Sequence, residues 1–164
     1  MNWTAFKTTA KVGVKGTFKS VKIEGASKAK PFAKLIEGIN VTIDQSTVDT
    51  NNPARDKTLS DFFFSQIKAG ITGKIKKVSE TKKTWTLVLS LNGKSKEIPM
   101  DYTLENNSLL TAKGQLSILD FDGANALQSI NQKCYDLHKG PDGVSKTWPD
   151  VALEIQATLT PTCK

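Results

Sequence analysis

Arginine is almost missing from this chain. Of the 23 residues counted as Lys or Arg, Arg55 is the only arginine, although the formal net charge is +7. Arginine is the side chain suited to bidentate contacts with phosphates and base edges. A dispersed lysine charge therefore argues against nucleic acid and for a solvated outer face, with attraction to an anionic membrane surface as the alternative. The densest group, Lys74, Lys76, Lys77, Lys82 and Lys83, flanks a predicted hairpin turn, where lysines discourage edge-to-edge pairing.

Histidine and cysteine are scarce as well: one His and two Cys in 164 residues. Two separated cysteines and one histidine do not readily make a metal site. No GxSxG, HExxH or phosphate-loop pattern occurs. The carboxylates Asp49, Asp56, Asp61, Asp120 and Asp122 fall where caps and turns place them, so paired acid–base work is not expected. His138 falls at the end of a predicted helix, which favours a charged imidazole there. The expectation is a non-enzyme without metal or cofactor. No apolar run approaches the roughly 20 residues of a membrane span, so stable membrane insertion is not expected.

Two further questions stay open from the residues alone. Cys134 and Cys163 would form a disulfide in an oxidising compartment, closing a loop of about 30 residues for roughly 3–4 kcal/mol. A buried structural thiol at Cys134 is the simpler reading. After Met1 the chain runs directly into Asn2-Trp3-Thr4, which fits a cytoplasmic location or an exported form whose signal has been removed.

What is present is alternation. The length fits one domain over residues 1–164, large enough for a real core. Trp3 to Thr8 reads as a first strand. Val12, Val14 and Phe18 share one phase and Val21 and Ile23 the other, which predicts a bulge or bend near Ser20. Ile39, Val41 and Ile43 form a third strand, Ile71 and Ile75 a fourth. Trp85, Leu87, Leu89 and Leu91 lead into Asn92-Gly93, a strong hairpin signal. Ile98 to Leu104 follows, then a turn at Asn106-Asn107, then Leu110 to Ile118. Val151 to Leu159 makes the eighth. One apolar face on nearly every strand predicts an all-β, eight-stranded antiparallel barrel.

Helical segments interrupt the strands. Pro31 to Glu37 stops at Gly38. Asn52-Pro53 offers an N-cap acceptor followed by proline at the first helical position. Asp56 lies near that positive helix end. Ala124 to Lys139 carries Leu127, Ile130, Cys134 and Leu137 on one stripe and ends at Gly140-Pro141. Phe62, Phe63 and Phe64 cannot all face one side of a regular element, so this junction is read as tucking aromatics into a cavity.

Thr50, Arg55-Asp56, Leu59 and Phe62-Phe63, in that order, resemble the signature of the YceI-like family of lipid-binding, lipocalin-like barrels. Gly16-Thr17-Phe18 upstream and Lys113 to Ile118 downstream extend the resemblance over nearly the whole chain. A histidine that many members carry near the first strand is missing here, so no role is transferred from it. The segment Asn131 to Gly140 is similar to an insertion of one branch of the family. The resemblance implies a long polyisoprenoid or fatty-acyl lipid as partner and a periplasmic or lipid-tethered location, and it allows a homodimer.

The expected ligand lining is Trp3, Phe6, Phe18, Phe32, Leu35, Ile36, Phe62, Phe63, Phe64, Trp85, Leu89, Met100 and Leu116. The inward small residues Gly73, Ala112, Gly114 and Ala157 are expected to leave room. Each buried methylene contributes roughly 0.8 kcal/mol against an association cost of roughly 4–15, so a chain of about 15 carbons or more is selected. Thr50, Arg55 and Asp56 are candidates for the head-group rim, with an Arg55–Asp56 structural pair as the alternative. The rival to a lipid carrier is a stress-related interaction module with a filled barrel.

Overall fold

The computed structural model describes residues 1–26, 31–106 and 108–159. Ten strands form one antiparallel sheet: β1 (Asn2–Lys7), β2 (Val12–Phe18), β3 (Val21–Glu24), β4 (Asn40–Ile43), β5 (Val48–Asp49), β6 (Ile71–Ser79), β7 (Thr84–Leu91), β8 (Lys94–Glu105), β9 (Leu109–Ser117) and β10 (Thr147–Thr158). Their order is β3-β4-β6-β7-β8-β9-β10-β1-β2-β5. The helices are α1 (Phe32–Ile36), α2 (Pro53–Phe62) and α3 (Ala124–Lys133). No helix among the described residues is long and apolar enough to cross a membrane.

The expected count of eight strands is corrected to ten, and the reason is a bend. The second predicted strand breaks at Lys19-Ser20 into β2 and β3, where the alternation changes phase, and β5 adds a short strand. β3 and β5 are the two edges of the linear order, yet β3 continues β2, while β5 follows β4 after one helical turn. Across the break, Lys19 N donates to Thr47 O at 3.0 Å and Asp44 N donates to Ser20 O at 3.1 Å. Backbone hydrogen bonds thus carry on from the Phe18–Val48 pair to the Val21–Ile43 pair, and the sheet curls strongly.

Strand β7 shows why the sheet has an inside. Trp85, Leu87, Leu89 and Leu91 are buried, while Thr86, Val88 and Ser90 between them are partly exposed. Its turn has Asn92 at φ 52° and Gly93 at φ 76°, the left-handed pair that the twist of a two-residue hairpin demands. Asn92 then ties the hairpin down: its Nδ2 donates to Phe121 O at 3.0 Å, and its Oδ1 accepts from Lys68 N at 3.1 Å.

The interior is filled at one end. Trp85 stacks on Tyr102 with centroids 5.3 Å apart, and Phe32 of α1 covers Tyr102 at 5.2 Å. Met100 is wholly buried, its sulfur occupying the place that a side chain at Gly114 would need. Gly73 in turn is covered by Leu87. These glycines therefore do not leave the free space expected of them; they are sockets for larger neighbours.

Helix α3 ends earlier than its apolar stripe predicts, at Lys133 rather than Lys139. Tertiary hydrogen bonds take over: Lys7 Nζ donates to Leu137 O at 3.0 Å and Lys146 N to His138 O at 3.2 Å. They turn residues 136–138 into a separate helical turn.

A candidate lipid cavity under two helices

The other end of the curled sheet is hollow. A cavity of about 460 Å³ lies between its concave face and helices α2 and α3. That volume falls within the range of about 300–1,000 Å³ usual for small-molecule sites. Trp3 and Ala5 of β1, Val14 and Phe18 of β2, Leu89 and Leu91 of β7, and Val151 and Leu153 of β10 form its sheet wall. Leu59 of α2 and Leu127 and Ile130 of α3 roof it. Aromatic contacts brace the wall: Trp3–Phe18 at 6.5 Å, Phe18–Phe64 at 5.6 Å and Phe63–Phe64 at 5.1 Å. The Trp3 indole lies flat across Gly16, where any Cβ would collide with it. Polar groups are few: Asn52, Arg55 and Thr58 on the α2 side, Lys7, His138 and Thr147 on the other.

The junction from β5 to α2 is fixed by its own side chains. Asn52 Oδ1 accepts from Arg55 N at 3.0 Å, and Pro53 opens the helix. The Asp56 carboxylate accepts from both Thr50 N, at 2.8 Å, and Thr50 Oγ1, at 2.6 Å. Asp56 is thus committed to Thr50. The alternative of an Arg55–Asp56 pair does not occur, and among the described residues Arg55 makes no ion pair.

A model of the YceI-like domain matches residues 2–159. The chain belongs to the YceI-like family. Among solved structures, a polyisoprenoid-binding domain from Saccharophagus degradans implicated in plant cell wall breakdown is similar at 12% identity, with a TM-score of 0.66 over 96% of this chain and 90% of that one. The Campylobacter jejuni YceI protein is similar at 22% identity, with a TM-score of 0.54 over 90% of this chain and 85% of that one. At these identities the likeness is one of fold. No curated protein matches the chain.

In this YceI-like chain, seven of the expected lining residues meet at the cavity: Trp3, Phe6, Phe18, Phe63, Phe64, Leu89 and Leu116. The other six do not line it. Phe32, Leu35, Ile36, Trp85 and Met100 belong to the core without lining the cavity, with Phe32, Trp85 and Met100 in the filled end. Phe62 faces α3 instead, with Lys133 Nζ 5.0 Å above its ring. The three consecutive aromatics are therefore divided, two to the cavity and one to the helix–helix contact. Of the rim candidates, Arg55 lines the cavity, whereas Thr50 and Asp56 do not.

Several lining groups escaped the sequence reading, above all Lys7 and His138. His138 does end a helical turn, residues Asp136–His138, but its surroundings disfavour the charged imidazole expected there. Burial, and then the Lys7 ammonium, hold its pKa below the ordinary value, and Nδ1 lies 2.7 Å from Thr147 Oγ1. Cys134 also lines the cavity, and burial pushes its thiol pKa up. Its pairing with Cys163 lies outside the described residues. So does the Asn107 half of the predicted turn at Asn106. Among the described residues no cluster of His, Cys, Asp and Glu is placed to hold a metal.

Proposed function

We propose that this protein binds one long apolar lipid, a polyisoprenoid or fatty-acyl compound, in the cavity under α2 and α3. It works as a carrier or buffer of that lipid without covalent chemistry. The observation that carries this reading is the hollow end itself. An apolar space of about 460 Å³ stays open although the opposite end is packed around Met100 and Trp85. An interior built only for stability would fill it, because voids forfeit contact energy. The polyisoprenoid-binding description of the Saccharophagus relative supports the ligand class.

The energetics point the same way. At roughly 0.8 kcal/mol per buried methylene, a chain of about 15 carbons contributes roughly 12 kcal/mol, enough for most of the roughly 4–15 kcal/mol range of association costs, whereas a short one does not suffice. The reading includes an extracytoplasmic location, in the periplasm or on a lipid anchor, and a monomer or homodimer that transfers its ligand between membranes. Native mass spectrometry of freshly purified protein, followed by organic extraction, tests it. An added mass matching a polyprenyl or long acyl compound is expected. A clean apo mass, with no adduct after challenge by several long-chain lipids, would leave an interaction module working through its surface as the better account.

A further inference from the structure

Three side chains on one side of the cavity form a hydrogen-bonded relay with a direction. Thr147 Oγ1 donates to Asn131 Oδ1 at 2.8 Å, and the same oxygen lies 2.7 Å from His138 Nδ1. A hydroxyl has one hydrogen, so with that hydrogen on Asn131 it accepts from His138. The imidazole is then protonated at Nδ1, and Nε2 is a bare acceptor. Among the described residues the only hydrogen bond of the ring is the one at Nδ1, and His138 lines the cavity.

The surroundings favour that neutral state. Burial and the nearby Lys7 ammonium both disfavour a second proton on the ring. Lys7 is anchored by donating to Leu137 O at 3.0 Å, and it lines the same cavity. The remaining charged or titratable groups on lining residues are Arg55, Cys134 and the α-amino group of Met1, and no carboxylate of the described residues lines the space.

His138 and Lys7 both line this cavity, so a head group beside them would be offered an acceptor at Nε2 and a donor at Nζ. An alcohol or phenol satisfies both, donating its O–H to Nε2 and accepting from Lys7. A carboxylate satisfies Lys7 but sets its lone pairs against that of Nε2. An ether, or a bare hydrocarbon, leaves Nε2 without a donor. We infer that His138 and Lys7 form a head-group subsite selective for a hydroxyl-terminated long chain, with Thr147 and Asn131 as positioning residues that fix the imidazole. This subsite rests on the lipid-binding reading above.

The test is titration of the whole chain with a straight-chain alcohol, its methyl ether and the corresponding carboxylic acid, all of one length, at pH 8. The alcohol is expected to bind tighter than the ether by roughly 3- to 10-fold, the net effect of one hydrogen bond. His138→Phe should abolish that preference, and Thr147→Val should reduce it. Imidazole 15N correlation spectra of the unliganded protein should show the proton on Nδ1. Equal binding of alcohol and ether, an acid that binds tighter than the alcohol, or a proton found on Nε2 would each overturn the subsite and leave the lipid reading standing. Failure of all three compounds to bind, and of a polyprenyl alcohol titrated beside them, would remove the lipid reading and the subsite together.

Discussion

The carboxylate of Asp56 holds Thr50 by two bonds at once, 2.8 Å from its backbone nitrogen and 2.6 Å from its hydroxyl. Thr50 is buried, so these bonds decide where α2 lies over the cavity. The neighbouring Arg55 shares no such duty and lines the cavity.

Replacing Asp56 by Ala should therefore cost about 1.5–3 kcal/mol of stability, the usual loss for a charge-assisted bond to a buried donor. Arg55→Ala should stay within about 0.5 kcal/mol of wild type, as surface changes do. Urea denaturation of both variants measures the difference. Equal effects would mean that Asp56 does not anchor the junction.

The two ends of the interior should respond differently to substitution. Met100→Ala empties a packed site and should lower stability by about 2–5 kcal/mol. Phe63→Arg puts a charge on the cavity side and should lose bound lipid, while Lys76→Ala should keep it. Lipid content after extraction, set beside melting curves, separates these cases. If Phe63→Arg retained its lipid, the ligand would have to sit elsewhere.

Gly114 is a socket for the Met100 sulfur. Gly114→Val should overpack that layer and destabilise by about 1–3 kcal/mol. In the double variant Gly114→Val with Met100→Ala, part of the loss should be recovered, since the two changes compete for one volume. Strict additivity in a double-mutant cycle would contradict the socket.

The pH dependence of stability carries a sign. His138 has a pKa lowered in the folded state, so the unfolded chain binds more protons just below the ordinary value of 6.5. Its contribution is fully present above about pH 6.5 and is lost as pH falls toward the folded-state value. Denaturation of wild type and His138→Asn between pH 5 and 8, on the order of the range in which histidine titrates, should show wild type losing more on acidification. Parallel curves would place His138 in an environment no different from water.

Much of this architecture was legible in the residues, and the exceptions have physical causes. The Asn92-Gly93 turn, the Asn52-Pro53 helix start and the break near Ser20 are local, each set by backbone sterics or a side chain a few positions away. Alternation separated inside from outside along β7. It did not say which inward residues would meet a filled layer, because Met100 over Gly114 is a cross-strand pairing. The stripe through Leu137 predicted a longer α3, but Lys7, 130 residues away in sequence, pulls Leu137 into a separate turn. The charged state expected of His138 fails for the same reason, since burial and Lys7 of β1, far away in sequence, disfavour it.

The packed layer of Trp85, Tyr102 and Met100 fills one end of the interior without lining the hollow. The hollow therefore does not run the length of the interior. Only as much of a long chain as fits between the sheet and helices α2 and α3 could be buried at once, and any remainder would have to lie outside.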